Sequence, residues 1–143
     1  VAKTVIKVKR ETLGLQGFSP VALVEDSAWV KGLSQHEETY QGLTFYFADA
    51  DEQATFKSNP EKFLPKYLGC DPVSLKTSER PVMGSIQHGA VYNGRIYFMS
   101  SANHQKQFLA SPQEYAELLY EVSLEATPEV VQVMAEADSM STN

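Results

Sequence analysis

Alternating apolar and polar residues mark several short extended segments in this chain. Thr4 to Lys9 alternates in this way and predicts a strand near the N-terminus. Two short apolar runs, Pro20 to Val24 and Pro72 to Leu75, follow glycines and are bounded by polar residues, so each is also predicted to be a strand. Glu37 to Phe47 and Gly89 to Met99 each divide into two short strands about a turn. The pattern therefore predicts small β-hairpins accompanied by single strands.

Each predicted hairpin has a glycine in its turn. Asn93-Gly94 is the stronger hairpin signal, because a type I′ turn needs positive φ at both central residues, and Gln41-Gly42 is a weaker version of it. A β-branched residue at positive φ is strongly disfavoured. We therefore expect Gly94→Val to damage folding more than Gly42→Val.

A helix of two to three turns is predicted after each hairpin. Asp49 and Ser101 stand at N-cap positions, and Glu52 completes a capping box with Asp49. The helix then presents an aromatic residue on its inner face, and an X-Pro step ends it and starts a second short helix. These aromatic and proline residues are Phe56, Pro60, Phe108 and Pro112.

The chain is an internal duplication. An offset of 52 residues aligns 15–67 with 67–119 without a gap, and fourteen aligned positions are then identical. Unrelated segments of this length would share about three. The identical pairs include Gly17/Gly69, Pro20/Pro72, Gly32/Gly84, His36/His88, Tyr40/Tyr92, Gly42/Gly94, Gln53/Gln105, Phe56/Phe108 and Pro60/Pro112.

The duplication and the element pattern together predict an α+β fold. It would consist of two tandem copies of a small unit, made of a strand, a β-hairpin and helices, related by a pseudo-twofold axis. We divide the chain into an N-terminal strand and linker (1–14), repeat 1 (15–66), repeat 2 (67–120), and a C-terminal helix and tail (121–143). Apolar residues at helical spacing predict the C-terminal helix over Pro128 to Ala137.

Composition excludes some functions. The 143 residues are 43% hydrophobic, which is enough for a buried core, and the formal net charge is −6 with a pI of about 5.0. An acidic surface repels a polyphosphate backbone, so we expect no nucleic-acid partner. No apolar run approaches the roughly 20 residues of a membrane span. The charge is uneven, with +3 over residues 1–14 and −5 over residues 121–143.

Both repeats carry the pattern His-x-x-x-Tyr-x-Gly, an aromatic strand, a Ser or Ala turn, and Phe-x-x-x-Pro, which resembles the YHS domain. The tandem form resembles duplicated YHS segments of bacterial envelope proteins. The resemblance implies a protein partner, such as an attached or associated domain of a larger protein, and an envelope or secreted location, although cysteine usage leaves the compartment open. It covers about residues 15–120 and rests on His36, Tyr40, Gly42, Phe45, Phe56, Pro60, His88, Tyr92, Gly94, Tyr97, Ser101, Phe108 and Pro112.

YHS members with metal ligands use cysteines and are associated with copper transport or metal handling, but this chain lacks those cysteines. The matched positions are Ala22, Ala48, Glu52, Ser74, Ser100 and His104. Alanine and serine are not usual ligands for zinc or copper. We therefore predict a non-catalytic binding or accessory module with no firmly implied cofactor. The alternative is a copper- or zinc-handling protein that uses His88 and His104, with Cys70 as a third donor.

The histidines and the cysteine each allow a structural or a functional interpretation. His36 and His88 would either share a ligand or proton-transfer role or hold their hairpins through ring hydrogen bonds. His104 would be a ligand or a solvent-facing helix residue. Cys70 would be a reactive thiol or a small buried hydrophobe, and no Lys, Arg or His adjacent in sequence lowers its pKa.

Two further observations bear on binding and catalysis. Trp29 has no counterpart in repeat 2, where Pro81 stands, so it marks a place at which one face could bind a partner. The acidic groups around Glu37 and Asp49 are interpreted as solvated strand ends and helix N-terminal charges. No nucleophile elbow, phosphate-binding glycine loop or His-Glu-x-x-His motif is present in the sequence, so we predict no enzyme activity.

Overall fold

A computed structural model of the protein describes residues 3–78 and 80–125. Helices alternate along the chain with strands that pair into small two-stranded sheets, so the predicted α+β class is confirmed. The N-terminal alternation does form a strand. Repeat 1 and the segment before it contain β1 (Thr4–Val8), α1 (Pro20–Asp26), β2 (Leu33–Tyr40), β3 (Leu43–Phe47), α2 (Ala50–Ser58) and α3 (Pro60–Phe63).

Repeat 2 has the same order of helices and paired strands. Most of its elements begin 52 or 53 residues after their counterparts in repeat 1. The antiparallel registers are equivalent, since Glu37 opposes Tyr46 in the first hairpin and Gly89 opposes Phe98 in the second. A pseudo-twofold relation between the repeats stays a prediction. The elements of repeat 2 and the strand after it are α4 (Pro72–Ser78), β4 (Gly89–Tyr92), β5 (Arg95–Phe98), α5 (Ala102–Ala110), α6 (Gln113–Ala116) and β6 (Tyr120–Leu124).

The predicted strands over Pro20 to Val24 and Pro72 to Leu75 are wrong, because both segments are the N-terminal turns of helices. The Ser19 hydroxyl accepts from the backbone N–H of Ala22 at 3.2 Å, and the Asp71 carboxylate accepts from that of Val73 at 2.8 Å. Proline at the first helical position has the φ that a helix needs. A short apolar run alone does not distinguish a buried helix turn from a buried strand.

Strand β6 pairs in parallel with β1, with Ile6 opposite Val122. This pairing joins the two ends of the described chain beside the hairpins. The predicted C-terminal segment 121–143 therefore begins within a strand, and the helix predicted over Pro128 to Ala137 lies outside the described residues.

Each repeat builds its core around the aromatic residue of its longer helix, as predicted. Phe56 is 1% exposed and lies 5.5 Å from Phe45 and 5.1 Å from Phe47, between ring centroids. Phe108 is fully buried and lies 4.8 Å from Tyr97 and 5.8 Å from Tyr115. Burial of such a side chain contributes about 1.5–3 kcal/mol.

Candidate functional site

The carboxylate of Asp71 is the centre of a buried polar cluster in repeat 2. Its Oδ1 accepts the backbone N–H groups of Val73 and Ser74 at 2.8 and 3.3 Å, which caps α4. Its Oδ2 accepts the backbone N–H and the hydroxyl of Ser100 at 2.9 and 2.6 Å. The side chain of Asp71 has no exposed surface. The carboxylate therefore joins the start of α4 to the turn between β5 and α5.

His104 completes this cluster. Its Nδ1 lies 2.6 Å from Asp71 Oδ2, and its side chain is 28% exposed. The interpretation of His104 as a solvent-facing residue is therefore wrong, because the first turn of α5 directs the ring at α4. Ser101, the predicted N-cap of α5, accepts the backbone N–H of His104 at 3.1 Å.

The cluster stabilises the ionised form of Asp71. Burial alone would raise the pKa of this carboxyl group, but hydrogen bonds from Ser100 and His104 outweigh it, and the pKa is lowered from its ordinary value. An ionised carboxylate can only accept a hydrogen bond, so Nδ1 must be the donor, which assigns the Nδ1–H tautomer to His104 when the ring is neutral.

Repeat 1 has an equivalent link with the acidic residue on the other element. Ser19, the counterpart of Asp71, donates its hydroxyl to Glu52 Oε1 at 2.7 Å. Glu52 is the counterpart of His104, and its Oε1 also accepts the backbone N–H of Ala48 at 3.0 Å. In both repeats a carboxylate therefore ties the first helix to the start of the longer helix.

These links occupy the positions at which the YHS resemblance implies metal ligands. Ser100 and His104 lie at two such positions in repeat 2, and Ala48 and Glu52 at the corresponding positions in repeat 1. In repeat 2 both residues bind the Asp71 carboxylate. The arrangement is suited to holding two helices in place, since its polar atoms satisfy one another.

The proposed metal donors His88, His104 and Cys70 are not brought together. No group of three or more His, Cys, Asp or Glu side chains within residues 3–78 and 80–125 is arranged to hold a metal ion. Cys70 is fully buried, with its Sγ 3.8 Å from the Met83 sulfur, and burial raises the pKa of its thiol to about 11. These features agree with the interpretation of Cys70 as a small buried hydrophobe.

His36 and His88 do not show the ring hydrogen bonds that a structural role predicted. Both rings are partly exposed, and neither makes a hydrogen bond within the described part of the chain. The hairpins are held instead by Gln53 and Gln105, whose side-chain amides donate to the backbone carbonyls of Glu37 and Gly89 at 3.1 and 2.8 Å. This role accounts for the identity of the glutamine pair in the repeat.

A groove lined mainly by apolar residues, with Gln87 and Gln105 among them, lies beside Trp29, where the two repeats meet. It has a volume of about 340 Å³, and its floor is formed by Ile96 and Phe98 of β5. Trp29 and Val91 line it and remain 47% and 44% exposed. The groove residues of repeat 2 were not identified from the sequence, because only tertiary packing brings them beside Trp29.

The ring of Trp29 is held in a defined position. It packs edge-to-face on Phe18 with ring centroids 5.3 Å apart, and the Lys31 ammonium lies 4.4 Å from the centroid of the Phe18 ring on the same stretch of surface. Such aromatic pairs contribute about 0.5–1.5 kcal/mol beyond their buried area. An exposed tryptophan that is already ordered loses little conformational entropy when it binds a partner.

Comparisons with protein-family models, with curated proteins and with solved structures found no significant match. No helix in the described part of the chain is both long and apolar enough to cross a membrane.

Proposed function

We propose that this chain is a non-catalytic binding module of tandem YHS-like repeats, and that the groove beside Trp29 holds an extended segment of a partner protein. The observation that carries the proposal is the exposure of Trp29 and Val91, which belong to different repeats, around one groove. Tryptophan is enriched at the centres of protein interfaces, where it fills or lines a desolvated pocket. A volume of about 340 Å³ accommodates one or two apolar side chains.

The backbone of β4 lies beside the groove and is suited to pairing with an extended segment of a partner. Strand β4 pairs only with β5 within the described residues; on its other edge Gln105 already donates to the carbonyl of Gly89, which leaves Val91 as the residue available for pairing. In a two-residue hairpin the hydrogen bonds alternate, and the N–H and C=O of Val91 point away from β5. The hairpin of repeat 1 has the same geometry. There Thr44 opposes Thr39, the counterpart of Val91, and the N–H of Thr44 points away from its partner strand and donates to the carbonyl of Thr12 at 2.7 Å. A partner strand that pairs with Val91 would place a side chain beside Trp29.

The hydrogen bonds of the Asp71 cluster support a structural role for Ser100 and His104, which lie where the YHS resemblance implies metal ligands. Asp71 already accepts five hydrogen bonds, including one from His104. The Nδ1 of His104 is directed at Asp71, and no group of three or more His, Cys, Asp or Glu side chains among the described residues is placed to hold a metal together with the other ring nitrogen. The proposed binding function therefore assigns this cluster to support of the helices rather than to ligand chemistry.

The proposal is tested by selecting binders from a displayed library of random peptides against the purified chain. The chain contains one tryptophan, so quenching or a blue shift of its emission reports binding at the groove directly. We expect selected peptides with a Leu, Ile or Phe anchor and micromolar Kd. Val91→Asp should weaken their binding at least tenfold, because it places a charge at the apolar rim.

Leu109→Asp is the matched control, since Leu109 is 58% exposed on α5 and does not line the groove. It should leave the peptide Kd unchanged. Trp29→Ala, followed by calorimetry, should also abolish binding. Peptides that bind both Val91→Asp and Trp29→Ala with wild-type affinity, or a selection that yields no groove-dependent sequence, would contradict the proposal.

A further inference from the structure

The small sheet formed by β1 and β6 is uncovered on the side of β1. Its two strands are parallel and have no third strand beside them among the described residues. Parallel strands usually belong to larger, covered sheets, and two strands alone are marginally stable. Val5 of β1 and Leu119, one residue before β6, are nevertheless 53% and 54% exposed. The outer edge of β1 is therefore a candidate for pairing with a further strand.

The hydrogen bonds of β1 show which of its backbone groups lie on this outer edge. The N–H of Thr4 and the C=O of Val8 both bond to the segment 119–125, at 2.9 and 2.7 Å. Alternate residues of a parallel strand bond to the same neighbour, so Val5 and Lys7 direct their N–H and C=O groups to the opposite side. Neither residue makes a backbone hydrogen bond there within residues 3–78 and 80–125. The outer edge thus offers two donors and two acceptors to an extended segment.

The exposed side chains along this edge are basic. Ile6 is half-buried and Val8 is 5% exposed, so alternation along the strand places Val5, Lys7 and Lys9 on the opposite, exposed face. Neither lysine forms a salt bridge in the part of the chain that the structure describes. The edge is therefore locally positive, although the formal net charge of the chain is −6.

The carboxylates of the other strand do not cancel this charge for a segment bound beyond β1. Glu121 lies opposite Val5, and Glu125 follows β6 on the same face. Neighbouring strands are about 4.8 Å apart, so an added strand would lie about twice as far from β6 as from Lys7. Exposed charges separated by more than about 8 Å are largely screened at physiological salt. The lysines of β1 therefore dominate the electrostatics of its outer edge.

The same lysines select the kind of strand that can pair. A second copy of this chain paired through its own β1 would bring Lys7 and Lys9 of one copy beside those of the other. Like charges on neighbouring strands are destabilising, and edge lysines oppose such self-pairing. An acidic strand would instead meet an opposite charge at each of these positions, which is favourable. Charge complementarity thus favours an acidic partner over a second copy.

We propose that the outer edge of β1 binds an acidic, extended segment of a partner protein, which pairs antiparallel with Val5 and Lys7 as a third strand. Antiparallel pairing is slightly more stable per residue than parallel pairing. In this register acidic residues lie opposite Lys9 and Lys7, and an apolar residue lies opposite Val5, so the segment has the pattern acidic-x-acidic-x-apolar. No residue of β1 lines the groove beside Trp29, so the two proposals succeed or fail independently.

The test measures binding of a fluorescently labelled peptide, Ser-Asp-Thr-Glu-Val-Ile-Thr-Glu-Ser, to the full chain by anisotropy at pH 7. We expect saturable binding at micromolar concentration, and about tenfold weaker binding when Asn and Gln replace the acidic residues. Methylation of the backbone nitrogen of the peptide's Ile, which lies opposite Val5, should abolish binding, because that N–H donates to β1. Methylation at the preceding Val is the control, since its N–H points away from β1, and it should leave the Kd unchanged.

Variants of the chain test the charge and the backbone separately. Lys7→Glu should weaken binding about tenfold, and it should bind a peptide with Lys in place of the first Glu more tightly than wild type does. Lys106→Glu is the matched control, because it makes the same change in net charge at an exposed position of α5 and should leave the Kd unchanged. Val5→Pro removes only an outward N–H, so it should abolish binding while thermal unfolding stays close to that of wild type.

Several results would overturn the proposal. They are the absence of saturable binding, equal affinity for the two methylated peptides, and equal effects of Lys7→Glu and Lys106→Glu. A loss of binding in Val91→Asp would place the peptide in the groove beside Trp29 instead. A dimer in sedimentation experiments that Val5→Pro dissociates would assign the outer edge of β1 to a second copy of this chain.

Discussion

At the scale of single residues, the buried carboxylate of Asp71 is expected to contribute strongly to stability. Asp71→Asn keeps the size of the side chain but removes the charge that His104 and Ser100 bind. Since hydrogen bonds to a buried charge contribute about 1.5–3 kcal/mol, we expect a loss of about 2–4 kcal/mol in the free energy of unfolding, measured with urea at pH 7. Asp49→Asn is the control, because Asp49 is exposed and asparagine caps helices equally well.

The pH dependence of stability provides a second check on Asp71. Its pKa in the folded protein lies below its ordinary value of 3.8. The stabilisation is therefore fully present above the unfolded pKa and is lost as the pH falls through the lower folded pKa. The difference between wild type and Asp71→Asn should be constant from pH 7 to about pH 5 and shrink below about pH 4. A difference that already shrinks between pH 7 and pH 5 would contradict this assignment.

At the scale of elements, the two hairpin turns have the same backbone but different surroundings. Gln41 and Gly42 have φ of 52° and 85°, and Asn93 and Gly94 have φ of 51° and 74°, which is the type I′ pattern in both. A Cβ at Gly42 would lie 2.7 Å from Leu124 Cδ2, whereas a Cβ at Gly94 would meet nothing within 4 Å. The turn sequence alone does not show this difference.

We therefore expect the reverse of the order derived from the sequence. Gly94→Val should cost about 1–2 kcal/mol from the strained backbone, and Gly42→Val should cost more, because the new side chain also displaces Leu124 of β6. Thermal unfolding of the two variants measures the order. Leu124→Ala combined with Gly42→Val should recover part of the difference, and an equal or larger effect at Gly94 would contradict the role of β6.

At the scale of the whole molecule, tertiary packing keeps the candidate metal donors apart. We expect the full chain, purified without a His tag, to bind neither zinc nor copper with submicromolar Kd, because the described residues bring no three candidate donors together and burial opposes ionisation of Cys70. Titration with Cu(I), Cu(II) and Zn(II) measures this. Stoichiometric binding that is lost after His88→Ala or His104→Ala, but not after His36→Ala, would support the metal-handling alternative.

Local signals in the sequence were sufficient for the elements whose stability is local. The N-caps at Asp49 and Ser101 and both turn glycines lie where the residue types predict them. The first helix of each repeat was missed, although Ser19-Pro20 and Asp71-Pro72 carry an N-cap followed by proline. This N-cap and proline signal favours a helix, whereas the apolar run after it favours a strand, because helix and strand patterns differ little over four or five buried residues.

The sequence by itself determined the duplication, the two hairpins and the aromatic centre of each core, because these depend on residue identity within about fifty positions. Only the tertiary structure decided the pairing of β1 with β6, the contact of His104 with Asp71, and the meeting of Trp29 with Val91. Each of these joins residues far apart in the chain. Their partners are selected by packing and by the need to satisfy buried polar groups, and a one-dimensional pattern does not contain that information.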